Sequence, residues 1–92
     1  MDEKTVENML KRAIEADGGL CWKLVSPGVA GVPDRLCLMA GRVVFVEVKA
    51  PGKRLRPLQQ RRMNQLRAQG FTALVVDGPQ GIQEVRRALS AA

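Results

Sequence analysis

Three side chains in this chain of 92 residues have the types and spacing to do chemistry together: Asp34, Glu47 and Lys49. Glu47 and Lys49 stand two apart in Val43-Val-Phe-Val-Glu-Val-Lys49, so on a strand they share one face. Asp34 lies one hairpin upstream. If Gly41-Arg42 is a two-residue turn, Asp34 pairs with Lys49; if Ala40-Gly41 is the turn, it pairs with Glu47. Either register puts all three on one face, with paired Cβ atoms about 4.5–5.5 Å apart. A three-residue loop would break that register unless a bulge restored it. Two carboxylates this close repel each other, and one is driven toward its protonated form unless a cation sits between them. Mg²⁺ or Mn²⁺ suits an all-oxygen donor set of this kind. The chemistry implied is phosphodiester hydrolysis, with a metal to activate water and Lys49 to meet the charge that builds on phosphate. Glu-x-Lys alone is a weak signal, because a surface ion pair explains it equally well.

The elements that must position these residues are legible in the pattern. Residues 3–16 predict a helix, with Val6, Leu10, Ala13 and Ile14 on one face and Gly18-Gly19 as its stop. Leu20–Val25 predicts a short strand, then residues 26–33, with two prolines and two glycines, a loop. Strands are expected at Arg35–Met39 and Val43–Lys49, the second β-branched and apolar enough to be central and buried. Pro57–Ala68 predicts a helix with Pro57 in its first turn, Gly70 as its stop and a sparse stripe of Leu58, Met63 and Leu66. Phe71–Val76 predicts a strand, and Ile82, Val85 and Leu89 mark a last helix. The order α-β-β-β-α-β-α fits one α/β domain over residues 1–92.

Composition narrows the functions further. A hydrophobic fraction of 46% with 26% charged residues is that of a folded globular chain. No run reaches the roughly 18 apolar residues of a membrane span, and the polar Met1-Asp-Glu-Lys4 start leads us to expect a cytoplasmic protein. Cys21 and Cys37 are expected as buried free thiols in strands. There is no His and no Tyr, and only Ser26 and Ser90, which excludes serine–histidine triads, histidine-based nucleases and tyrosine nucleophiles. No glycine-rich GxxxxGK loop supports a nucleotide cofactor. Fifteen basic residues against nine acidic give a net charge of +6. No acid occurs between Glu47 and Asp77, and the stretch from Lys49 to Arg67, ends included, holds seven Lys/Arg. Such a block suits a phosphate backbone, though a solvated helix face is the plainer alternative. Lys53, Arg54 and Arg56 are the first candidates for phosphate contacts, with Arg61, Arg62 and Arg67 extending them. Trp22, the only tryptophan, is expected in the core, with base stacking as the alternative.

Taken together, Glu7 on the first helix, Gly31-Val-Pro-Asp-Arg35, Phe45-Val-Glu-Val-Lys49, Gln59 and Gly70 resemble a VRR-NUC domain, the virus-type replication–repair branch of the PD-(D/E)xK nucleases. The resemblance covers nearly the whole chain. It implies a restriction-endonuclease-like core, a mixed sheet flanked by helices. It also implies Asp34, Glu47 and the Val48 carbonyl as metal ligands, Lys49 as the catalytic lysine and Gln59 facing the site. Gln59 is preferred over Gln60 by its spacing to Leu66 and Gly70. A helix-capping role for Gln59 stays open. Glu7 falls near the core edge, where it either helps bind metal or favours the helix dipole. Stand-alone relatives of this kind resemble Holliday-junction resolvases and form homodimers, so DNA, branched or duplex, and a second copy are the expected partners. The resemblance implies a phage or prophage origin. The alternatives are a basic module that holds DNA or RNA without cutting it, and a protein-interaction subunit.

Overall fold

The computed structural model describes residues 1–90. Seven elements follow in chain order: α1 (Glu3–Ala16), β1 (Leu20–Lys23), β2 (Arg35–Met39), β3 (Arg42–Val48), α2 (Pro57–Ala68), β4 (Thr72–Val76) and α3 (Pro79–Ser90). The order α-β-β-β-α-β-α is the one predicted, and the α1 and α2 bounds agree to the residue. β2 also agrees to the residue, and β3 begins one residue earlier than expected, at Arg42. β1 stops two residues short of Val25, and Lys49 and Phe71 fall just outside β3 and β4.

The four strands form one mixed sheet in the order β1-β2-β3-β4. The first two junctions are antiparallel and the β3–β4 junction is parallel. A parallel neighbour requires a crossover connection, and α2 supplies it. The β2–β3 turn is Ala40-Gly41, because Met39 pairs with Arg42. Both turn residues have positive φ, +52° at Ala40 and +79° at Gly41, as a twisted two-residue hairpin demands. Glycine accepts that conformation freely, whereas Ala40 pays for its Cβ.

Strand alternation splits β3 into two faces. Val44, Val46 and Val48 point toward α1 and α3, where they meet Val6, Leu10, Ile14, Cys37, Val76, Ile82, Val85 and Leu89 in the main core. Cys21 and Cys37 are buried, free and cross-strand partners in that core, their sulfurs 3.7 Å apart. Phe45, Glu47 and Lys49 point to the other face, which α2 covers only in part through its packing on β4. Met63 is the one fully buried side chain of α2. Two expected core positions differ. Trp22 is 56% exposed and Leu58 is 40% exposed. Trp22 alternates with the buried Cys21 and so faces the partly covered side, while Leu58 caps Gly31 at the rim of α2. None of the described helices is long and apolar enough to cross a membrane.

Candidate active site

The hairpin turn decides the register at the site. With Arg35 opposite Val46, continuing one step brings Asp34 opposite Glu47, the second of the two registers the sequence allowed. Asp34 itself precedes β2, and its Oδ2 accepts the Val48 amide at 3.0 Å, which extends the ladder by side chain where main-chain pairing ends. Asp34 is thereby tied to the strand that carries Glu47 and Lys49.

Glu47 is 2% exposed. Its Oε2 accepts a hydrogen bond from Gln59 Nε2 at 3.2 Å and lies 4.0 Å from Lys49 Nζ. Its Oε1 is buried with no hydrogen-bond partner. Burial, then the charge of the neighbouring Asp34 carboxylate, push the Glu47 acid up from 4.5 to about 8. Lys49 pulls in the opposite direction, and the Glu3 carboxylate in the first turn of α1 adds a small upward push. A buried carboxylate with one free oxygen, beside a second carboxylate, is a poor resting state for a protein alone. It fits a hard cation, because the donors are all oxygens and the orphaned Oε1 gains a partner when one binds.

Gln59 has two roles at once. Its Oε1 accepts the Arg56 amide at 2.9 Å, capping α2, while its Nε2 reaches Glu47. The capping and site-facing alternatives are both met by one amide, since its two ends point to different partners. Gln60 instead pairs with Asn64 on the exposed side.

Glu7 goes elsewhere. Its Oε2 accepts from Arg35 Nε at 3.0 Å, and Arg35 Nη1 donates to the Cys21 carbonyl at 3.2 Å. Arg35 shares the face of its partner Val46, so this ion pair lies on the α1 side of the sheet, across from the face of Asp34, Glu47 and Lys49. Among the described residues no group of three or more His, Cys, Asp or Glu is gathered in metal-binding proximity. The carboxylates brought together are Asp34 and Glu47. Arg35 was missed as a candidate. An arginine directly after Asp34, hence on the opposite face, was the available signal.

The basic residues divide by what already holds them. Arg62 donates to the Ala30 carbonyl at 2.8 Å and to Gln65, clipping the 26–33 loop onto α2. Arg67 donates twice to the Ala73 carbonyl. Lys53, Arg54, Arg56 and Arg61 are exposed, and none takes part in the three ion pairs found among the described residues.

Comparison with known proteins follows the same outline. The family model described as the VRR-NUC domain matches residues 3–80. The chain is 43% identical over 76 residues, 82% of each protein, to "Putative nuclease p44" of Acyrthosiphon pisum secondary endosymbiont phage 1. A solved structure described as a VRR_NUC domain superposes with a TM-score of 0.83 at 32% identity, covering 92% of this chain and 94% of its own. A second, described as a VRR_NUC domain protein, gives a TM-score of 0.79 at 19% identity over 100% of this chain and 91% of its own, and speaks to the fold alone.

Proposed function

Because the chain belongs to the VRR-NUC domain family, a family of nucleases, we propose that it is a divalent-metal-dependent DNA endonuclease acting on phosphodiester bonds. The observation that carries this is the buried Glu47 with its unpartnered Oε1, set opposite the half-buried Asp34 and beside Lys49 on one sheet face. Asp34, Glu47 and the Val48 main-chain carbonyl would hold Mg²⁺ or Mn²⁺. When bound, such an ion supplies positive charge to the phosphate and acidity to a water.

The rest is done by the chain itself. Lys49, held near Glu47, donates to the attacking water or to the phosphate oxygen on which charge accumulates. Gln59 fixes the Glu47 carboxylate by one hydrogen bond, and its own amide is fixed by the α2 cap. The Val48 amide fixes Asp34. Arg35 and Glu7 brace the opposite face behind Asp34. Lys53, Arg54, Arg56 and Arg61 contact the phosphate backbone, which positions DNA without reading its sequence. We further propose that one domain of this size acts as a homodimer, whose two sites address two strands of a branched or duplex DNA.

The experiment is cleavage of labelled four-way junction, flap, duplex and single-stranded DNA with Mg²⁺, Mn²⁺ or EDTA. The expected result is metal-dependent cutting that disappears in Glu47→Ala and Lys49→Ala while both variants stay folded. DNA binding without cutting under either metal would leave a binding module instead.

A further inference from the structure

The face that carries Glu47 and Lys49 is apolar on its β1 side and uncovered there. Trp22 pairs with Leu36, and Leu36 pairs with Phe45, so the three lie in one row across the sheet. The adjoining row runs from Leu24 through Asp34 to Glu47, with the Leu24 amide donating to the Asp34 carbonyl at 2.8 Å. Trp22 is therefore two strands and one row from Glu47, roughly 12 Å by ordinary strand spacings. Beyond Phe45 in that row lies a cleft of about 250 Å³ that the indole itself does not line, walled by Leu24, Pro33 and Phe45 and rimmed by Arg62 and Gln69 of α2 and its C-cap. Pro33 and Phe45 join this cleft directly to Asp34 and Glu47.

We propose that this apolar half-face seats an unpaired nucleobase of the substrate strand, with Trp22 as the stacking platform, so that DNA with unstacked bases near the cut is preferred. The proposal rests on the nuclease function of Asp34, Glu47 and Lys49. Its geometry follows from the strand path. A chain advances about 3.4 Å per nucleotide in a duplex and further once unstacked, so Trp22 meets a base a few nucleotides from the phosphate at Glu47. An indole fixed on a strand offers a π-face to any base, which gives preference for unpaired over paired DNA without sequence choice. The occupant is a nucleic acid rather than a second copy on grounds of charge. The chain carries +6, which attracts a polyanion, and the proposed homodimer can form on another face. The cleft is also continuous with the catalytic row, where the substrate strand must pass.

Trp22 is the only tryptophan and there is no tyrosine, so protein fluorescence reports this ring alone. The test titrates wild type in EDTA, where no cutting occurs, with a short thymidine oligonucleotide and with a blunt hairpin of equal base count. We expect saturable quenching by the single strand. Trp22→Ala should lower the ratio of single-strand to hairpin affinity by about 5- to 150-fold, Trp22→Phe should restore most of it, and Trp22→Leu should not. Binding seen by anisotropy without quenching, at a ratio unchanged in Trp22→Ala, would overturn the proposal. So would emission that depends on protein concentration without DNA, because a second copy would then cover the indole. Quenching in a protein that cuts nothing with Mg²⁺ or Mn²⁺ would remove the nuclease function and leave the base seat standing.

Discussion

Glu47→Gln should make the metal-free protein more stable at pH 8.5 while abolishing its activity. The folded chain keeps the Glu47 proton up to about pH 8, whereas the unfolded chain loses it near 4.5. Between those values unfolding releases a proton, so the Glu47 contribution to stability falls as pH rises from about 4.5 to about 8 and stays unfavourable above. At about 1.4 kcal/mol per tenfold change, that window caps the penalty near 5 kcal/mol. Glutamine keeps the shape and the Gln59 hydrogen bond but still buries a polar group, so a gain of about 1–3 kcal/mol is expected at pH 8.5. In a domain of this size that raises Tm by about 4–8 °C for each kcal/mol. The gain should vanish near pH 4, where Glu47 is protonated in both states. Thermal unfolding of both proteins at the two pH values, each with and without Mg²⁺, measures this directly. Saturating metal at about a hundredfold its Kd should add about 2.7 kcal/mol to wild type and nothing to the variant. If Glu47→Gln lowered Tm equally at both pH values, the carboxylate would be satisfied within the fold, and no stored penalty would await a cation.

Lys49→Met should lower kcat by about 10²–10³-fold while leaving metal-induced stabilisation in place, because in the proposed mechanism the lysine meets developing charge and is not a ligand. Single-turnover cleavage paired with Mg²⁺-dependent Tm separates the two effects. Arg35→Ala strands the Glu7 carboxylate and the Cys21 carbonyl, both largely buried, and should cost about 3–5 kcal/mol in urea unfolding. A Glu7→Gln, Arg35→Met double-mutant cycle should recover part of that loss. Neutralising Arg54 and Arg56 together should reduce the slope of log affinity against log salt by about 2, one for each DNA phosphate that is no longer neutralised. Arg62→Ala should instead lower stability, since its guanidinium holds the Ala30 carbonyl.

The register is the clearest case of what could be read and what could not. The two-residue spacing of Glu47 and Lys49 placed them on one face without any tertiary knowledge, because strand alternation is local. Which of two partners Asp34 met depended on one turn residue. Alanine is an unusual choice for a positive φ, and nothing in the tripeptide Ala40-Gly41-Arg42 excluded the other turn. Gln59 over Gln60 was legible for a similar reason: helical periodicity assigns each to a side. Its contact with Glu47, however, comes from the crossover that lays α2 against the sheet.

The misplaced residues share one cause. Trp22 and Leu58 are apolar and sit in correctly identified elements, so composition argues for burial. Whether an apolar side of a strand is covered depends on where the next layer lies, and α2 lies against β4, two strands beyond β2. Glu7 was placed near the core edge by its helical position, and there it is. Its partner was decided by Arg35, a residue 28 positions away whose side is set by the same alternation that aims Asp34 at the face of Glu47 and Lys49. The sequence alone thus determined the elements, their order and the one-sided grouping of Asp34, Glu47 and Lys49, because propensity, periodicity and alternation act over a few residues. The tertiary structure alone decided the burial that lifts the Glu47 acid, the lone unpartnered oxygen and the open Trp22 face. Desolvation and exposure are properties of what packs on an element, and no stretch of chain carries its own neighbours.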